Sequence, residues 1–287
     1  MEYWFKKSLL VFCFGVLAAE AGLLPVLGFE CKAYRIKPPS QTMDQLNERI
    51  RRNSLDAQAF CDRGQAYLSA GESEEAIKDY NRALALNAKL GDALTGRAYG
   101  LAMERRYSDA IADLDKVQAL NDRHAMAQAL YQKSLIYQDL KQYDKIPELY
   151  DRLLNTKDIG VGPVDRENLH ENKAKIFLLL KQPDAALKEL TLLKDCERRK
   201  LEVGLLKGKA LCLKSDWQGA ERSLTVAIEQ GKADIKRHGE QLDRQTMTEL
   251  YGARAAVFER LGLKEKARAD RAEELKFKNR VFRALYD

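Results

Sequence analysis

The sequence predicts an all-α fold, an α-solenoid built from one repeated helical hairpin. The first observation is periodicity. Phe60, Gly64 and Tyr67 lie four and then three residues apart, on one face of a helix; beyond Gly71, Ala76, Tyr80 and Ala83 repeat that spacing on a second helix. The second is length. Two helices this short cannot bury an apolar face alone, so the hairpin has to stack on copies of itself. The third is recurrence. The small residue at Gly64 returns at Ala98, Ser134, Ala174, Gly208 and Ala255, at intervals of 34, 36, 40, 34 and 47 residues. Three positions after each stands Tyr67, Leu101, Tyr137, Phe177, Leu211 or Phe258; twelve after stands Ala76, Ala110, Ile146, Ala186, Ala220 or Ala267.

These residues resemble the tetratricopeptide repeat family, whose unit is a 34-residue helix-turn-helix with small residues where the two helices touch. Ala57–Leu90 carries the pattern most fully, with Gly64, Tyr67, Gly71, Ala76, Tyr80 and Ala83. The next two copies match through Ala98, Leu101, Tyr107, Ala110 and Leu114, and through Ser134, Tyr137, Tyr143, Ile146 and Tyr150; the last three match less closely. The resemblance implies a right-handed superhelix whose first helices line a concave, protein-binding groove.

The elements follow in order. Residues 1–31 read as a signal peptide or membrane anchor: Lys6 and Lys7 precede an apolar run from Ser8 to Ala19. Small residues at Ala19 and Ala21 suit cleavage, while the stretch from Ser8 to Phe29 is long enough to span a bilayer, against which Glu20 counts. Residues 32–56 hold a linker with Pro38 and Pro39, then a capping helix over Met43–Arg52 with Met43, Leu46 and Ile50 on one side. The repeat array occupies 57–274, in units 57–90, 91–124, 127–160, 167–200, 201–234 and 248–274. Its turns are expected at Gly71, Arg106, Gln142, Pro183, Asp216 and Gly262, with Asp56 or Ser54 capping the first helix and Ser73, Ser108 and Asp144 capping second helices. Asn155–Arg166 and Gly231–Gln245 read as insertions, the second extending a helix before it breaks. Residues 275–287 read as a separate amphipathic closing helix.

Composition narrows the function. A net charge of +6 is spread along the chain among 43 carboxylates, without the basic block of a nucleic-acid footprint. The five cysteines, Cys13, Cys31, Cys61, Cys196 and Cys212, form no CxxC pair, and the three histidines lack metal-ligand spacing. His170 sits at a packing position of its helix. No phosphate loop, GxSxG or HExxH is present. The expectation is a protein that is not an enzyme, with no catalytic residue, cofactor or metal.

Two constellations remain. A basic residue precedes the small residue in every unit: Arg63, Arg97, Lys133, Lys173, Lys207 and Arg254. Such a ladder could be an anion track; in four units, however, a carboxylate (Asp79, Asp113, Glu189 or Asp270) stands sixteen positions later, where an antiparallel hairpin brings it opposite. Ion pairs, each contributing about 0–1 kcal/mol when exposed, are the preferred reading. The second constellation is the groove. By helical phase and family resemblance its lining is Gln58, Cys61, Gln65, Thr95, Tyr99, Tyr131, Leu135, Gln138, Glu171, Lys175, Leu205 and Lys209, neutral and partly aromatic in the first half and more charged in the second. The lysine/asparagine clamp of chaperone-tail-binding relatives is absent, since Cys61 and Gln65 occupy its first positions.

The expected function is a non-enzymatic scaffold that binds a protein or peptide segment in the groove. The alternatives are a polyanion or nucleic-acid binder using the ladder, or a passive spacer. The expected location is outside the cytoplasm, exported or periplasmic, or membrane-anchored through residues 8–29. Partner identity and oligomeric state are left open.

Overall fold

The computed structural model describes residues 41–156, 165–193, 199–238 and 244–286, with side chains except at His238 and beyond residue 278. The chain divides into two compact units, Met1–Cys31 and Lys32–Asp287, and the described residues all lie in the second. Residues 1–31 and the Pro38–Pro39 linker therefore lie outside them, as do Cys196 and residues 157–164 and 239–243 of the two expected insertions.

Among the described residues there are thirteen α helices: α1 (Met43–Arg52), α2 (Ala57–Ala70), α3 (Ser73–Leu86), α4 (Gly91–Met103), α5 (Tyr107–Val117), α6 (Arg123–Asp139), α7 (Ile146–Leu154), α8 (Arg166–Leu179), α9 (Pro183–Thr191), α10 (Lys200–Leu213), α11 (Trp217–His238), α12 (Arg244–Arg260) and α13 (Lys264–Tyr286). A 3₁₀ turn at Tyr143–Lys145 precedes α7. From α2 onward the helices form six antiparallel hairpins stacked as a right-handed α-solenoid.

Packing explains the spacing of small residues. The residue sixteen positions after each small one is large and fully buried in five units: Tyr80, Leu114, Tyr150, Leu190 and Leu224. It lies across the first helix of its own unit. A Cβ on Gly64 would come within 3.1 Å of the Tyr80 ring, and one on Gly208 within 2.5 Å of Leu224. Tyr80 also reaches the next unit, where a Cβ on Gly96 would lie 2.3 Å from its Cζ. In the sixth unit this position is Arg271, half-exposed and paired with Glu274 at 2.9 Å. Among the described residues no helix packs on the far side of α13 to cover an apolar side chain there, and the position carries a charge. At the other end α1 buries Leu46 and packs on α2. It starts with a capping box between Thr42 and Gln45.

The hairpin turn is the same in all six units. Gly71, Arg105, Lys141, Lys181, Ser215 and Gly262, each seven positions after the small residue, have φ between +56° and +82°. The following amide bonds back five residues to the carbonyl of Tyr67, Leu101, Tyr137, Phe177, Leu211 or Phe258, at 2.8–2.9 Å. This is the Schellman arrangement, which satisfies the last carbonyls of the first helix. The turn residue thus stands one before the expected Arg106, Gln142 and Asp216 and two before Pro183. Asp56 accepts from the Ala59 amide and caps α2, and Pro183 is the first residue of α9. The expected serine caps are corrected: Ser73 is already inside α3, its hydroxyl turned to Glu104 of the next unit. Asp144 lies in the 3₁₀ turn, leaving α7 no side-chain cap. The separate closing helix is also corrected, because α13 runs without a break from Lys264 to Tyr286.

Candidate functional site

The basic ladder forms ion pairs. Arg63 donates from Nε and Nη2 to both carboxylate oxygens of Asp79, at 2.7 Å each. Arg97 does the same to Asp113 at 2.6 and 2.7 Å, and Arg254 to Asp270 at 2.7 and 2.8 Å. Lys173 meets Glu189 at 2.9 Å, and His170 Nδ1 lies 2.7 Å from the other oxygen of that carboxylate. These pairs are more enclosed than exposed pairs, with the Asp113 side chain only 4% accessible. Burial works to raise the Asp113 carboxyl; hydrogen bonds from Arg97 and Lys116, with their charges, outweigh it and hold it below the usual carboxylate range.

Most ladder cations also reach the preceding helix. Arg63 donates to Asn47 of α1 at 2.8 Å, Arg97 to Asn81 of α3 at 2.7 Å, and Arg254 to Thr225 of α11 at 3.1 Å. Lys133 has Leu149 rather than a carboxylate sixteen positions on, and pairs with Asp115 of α5 at 2.6 Å. Lys173 also reaches Asp151 of α7. Each of these five cations therefore binds a first helix into the seam between units. The sixth, Lys207, faces Ser223 and makes no ion pair among the described residues.

The opposite side of the array is formed by first helices packed on first helices: α2 on α4, α4 on α6, α8 on α10 and α10 on α12. Its expected lining falls into three groups. Cys61, Thr95, Tyr131, Lys175 and Leu205 are buried and give no open groove surface; adjacent first helices approach closely enough to cover the residues facing the joint. Gln58, Gln65, Tyr99, Leu135 and Gln138 stay partly or fully accessible. Tyr99 packs beside the core of the first unit, and Gln138 donates to the Tyr150 hydroxyl at 3.1 Å. Glu171, Lys175 and Lys209 join helices. Lys175 bonds Glu171 at 2.9 Å and Glu202 at 3.0 Å, and Lys209 reaches Glu249 of α12 at 2.8 Å. Arg199 extends the network to Asp165, Glu167 and Glu171 at 3.0–3.3 Å.

The charges of the second half largely compensate one another. The first half carries carboxylates that the sequence reading passed over. Asp62 is held by Arg49 at 3.1 Å and Asp122 caps α6 through the Ala125 amide at 3.0 Å. Asp92 makes no ion pair among the described residues. Its carboxyl is pushed up, first by the surrounding protein displacing water, then by the Asp122 and Asp62 charges, with His124 opposing. Beside it Gln128 accepts from the Thr95 hydroxyl at 3.2 Å and contacts His124 at 2.7 Å, linking α4 and α6. A signal was available, because Asp62 and Asp92 stand three or four residues from assigned lining positions on the same helices. Among the described residues no three His, Cys, Asp or Glu side chains form a metal-binding group. Burial, then the Asp92 and Asp62 charges, push the Cys61 thiol up, which disfavours the thiolate form.

Residues 57–90 match the family model described as Tetratricopeptide repeat. No curated protein sequence matches the chain. The fold is similar to that of the C-terminal part of a TPR repeat-containing protein from Cytophaga hutchinsonii, with 12% identity over 82% of this chain and 88% of that one, at a TM-score of 0.65. It is also similar to MamA (14% identity, 65% of this chain and 97% of that one, TM-score 0.54). A third likeness is to YrrB, a TPR protein with an unusual peptide-binding site (16% identity, 64% and 91%, TM-score 0.52). At these identities the likeness is one of fold.

Proposed function

This chain belongs to the tetratricopeptide repeat proteins, and on that premise we propose that it is a non-enzymatic scaffold. It binds an extended peptide segment along α2, α4 and α6. One observation carries the reading. The accessible face of these three helices combines polar amides, a half-buried tyrosine and the Asp92 carboxylate, which makes no ion pair among the described residues. Gln58, Gln65 and Gln138 can bond an extended backbone, Tyr99 supplies an aromatic contact, and Asp92 favours a lysine or arginine on the segment. A bound cation would also relieve the repulsion that Asp92 feels from Asp62 and Asp122. The peptide-binding site of YrrB is a precedent on a similar fold. The polyanion reading is weaker, because five of the six ladder cations are held in ion pairs.

Screening short random peptides against the full chain tests the reading. The expected hits are rich in lysine or arginine, and Asp92→Asn with Tyr99→Ala lowers their affinity by roughly tenfold or more. Hits that keep their affinity in the double variant overturn the groove placement. Neutrality of every substitution on this face would leave a spacer.

Residues 1–31 support a location outside the cytoplasm or at a membrane. Among the described residues no helix is long and apolar enough to cross a bilayer, so such attachment would rest on residues 8–29. The mass of the chain recovered from its own cell distinguishes a cleaved signal from a retained anchor. Recovery of the full-length chain in the cytoplasm excludes both.

A further inference from the structure

We infer a second binding site on the side of the array away from the groove: a basic, apolar-walled crevice between α10 and α11 that takes an acidic peptide segment of a partner protein. It begins with the exception in the ladder. Where four units place a carboxylate opposite the ladder cation, the fifth places Ser223, whose hydroxyl donates to the Gly204 carbonyl at 3.2 Å. Lys207 is left half-buried without an ion pair among the described residues. The preceding second helix does not reach it either. The counterpart of Asn81 and Asp151 on α9 is Thr191, its last residue, whose hydroxyl donates to the Lys188 carbonyl of its own helix at 2.7 Å rather than across the seam.

The result is a cavity of about 500 Å³ lined by Lys207, Lys200, Arg222, Val203 and Val226, among others. Lys200 and Arg222 likewise make no ion pair among the described residues. Val226 is 58% exposed, a large apolar side chain open to solvent at the rim of a cationic pocket. Three cations that make no ion pair among the described residues, around a partly apolar hollow, fit a carboxylate-bearing segment with an aliphatic side chain beside the acid. Glu189 makes the same contact internally in the fourth unit, where it meets Lys173 at 2.9 Å. A partner's carboxylate would therefore complete the pattern that Ser223 leaves open. The pocket is also too small and too local for a nucleic-acid track, which needs a continuous basic stripe.

The test uses the full chain and a fluorescent peptide of about twelve residues with alternating Glu and Leu, read by anisotropy. The peptide is expected to bind with an affinity that falls as salt rises. The same peptide with Gln for Glu is expected to bind roughly tenfold more weakly or worse. Ser223→Glu supplies the missing internal carboxylate and should abolish binding while the thermal midpoint holds or rises. Should that variant melt early, Lys207→Gln with Arg222→Gln decides in the same way. Asp92→Asn, in the groove, should leave this binding unchanged. The proposal is overturned if the Gln peptide binds equally, if the crevice variants keep wild-type affinity, or if only an unstructured polyanion such as heparin binds.

Discussion

At the scale of the residue, a carboxylate here is defined by what faces it. Asp113 and Asp92 make opposite predictions. The Asp113 carboxyl is held low, so its contribution is fully present above the ordinary value near 4. That contribution is lost as pH falls through its depressed folded value. Asp113→Asn should cost about 2–3 kcal/mol at neutral pH, because Arg97 loses a bidentate partner in an enclosed seam, and the cost should shrink in acid. The Asp92 carboxyl is held high. The folded chain therefore takes up its proton more readily than the unfolded one, and stability rises as pH falls from that raised value toward about 4. Asp92→Asn should raise stability at neutral pH and remove that rise. Urea unfolding at neutral pH and near pH 4 reads both. The same sign of change in the two variants would refute the contrast.

At the scale of the element, the hairpin is specified by its turn as much as by its faces. All six turns hold a left-handed residue, and four of them are not glycine. Placing an ordinary side chain at φ near +56° costs on the order of 1 kcal/mol, which the Schellman bonds and the packing on either side offset. Lys181→Gly should therefore raise stability by up to about 1 kcal/mol, less the greater entropy glycine has in the unfolded chain. A higher urea midpoint with unchanged slope supports this; a lower midpoint would show that the lysine stem contributes packing that outweighs the strain. Gly71 was legible as a turn because glycine is the residue that position favours. Arg105, Lys141 and Lys181 were not, because their conformation is imposed by the hairpin around them.

At the scale of the whole molecule, the joints between units are unequal. Neighbouring first helices pack at four joints. Between the third and fourth units α6 and α8 have almost no contact; α7 carries the packing against α8, aided by Arg166 donating to the Leu154 carbonyl at 2.8 Å. A nearly one-dimensional stack opens at its weakest joint. Trp217 lies beside the core of the last two units, so with Trp4→Phe its fluorescence follows the C-terminal half. Fluorescence and far-ultraviolet dichroism should give non-coincident urea transitions, separated further by Lys173→Ala. Coincident transitions would mean that the array unfolds as one block.

The sequence by itself determined the repeated unit, its phase and the four hairpin ion pairs. Each follows from local spacing: Gly64 with Tyr67 on one helix face, and Arg63 with Asp79 across one hairpin. Sixteen residues fix where two antiparallel helices meet, and no other part of the chain has to be known. The tertiary structure alone decided which lining residues stay open. Tyr131 and Leu205 share the helical phase of Gln58 and Gln65, but the approach of neighbouring first helices covers the former and leaves the latter accessible. It also decided that Lys207 is the exception in the ladder. Ser223 could be read from the sequence; that the Thr191 hydroxyl, at the position of Asn81, turns to the Lys188 carbonyl of its own helix rather than across the seam could not.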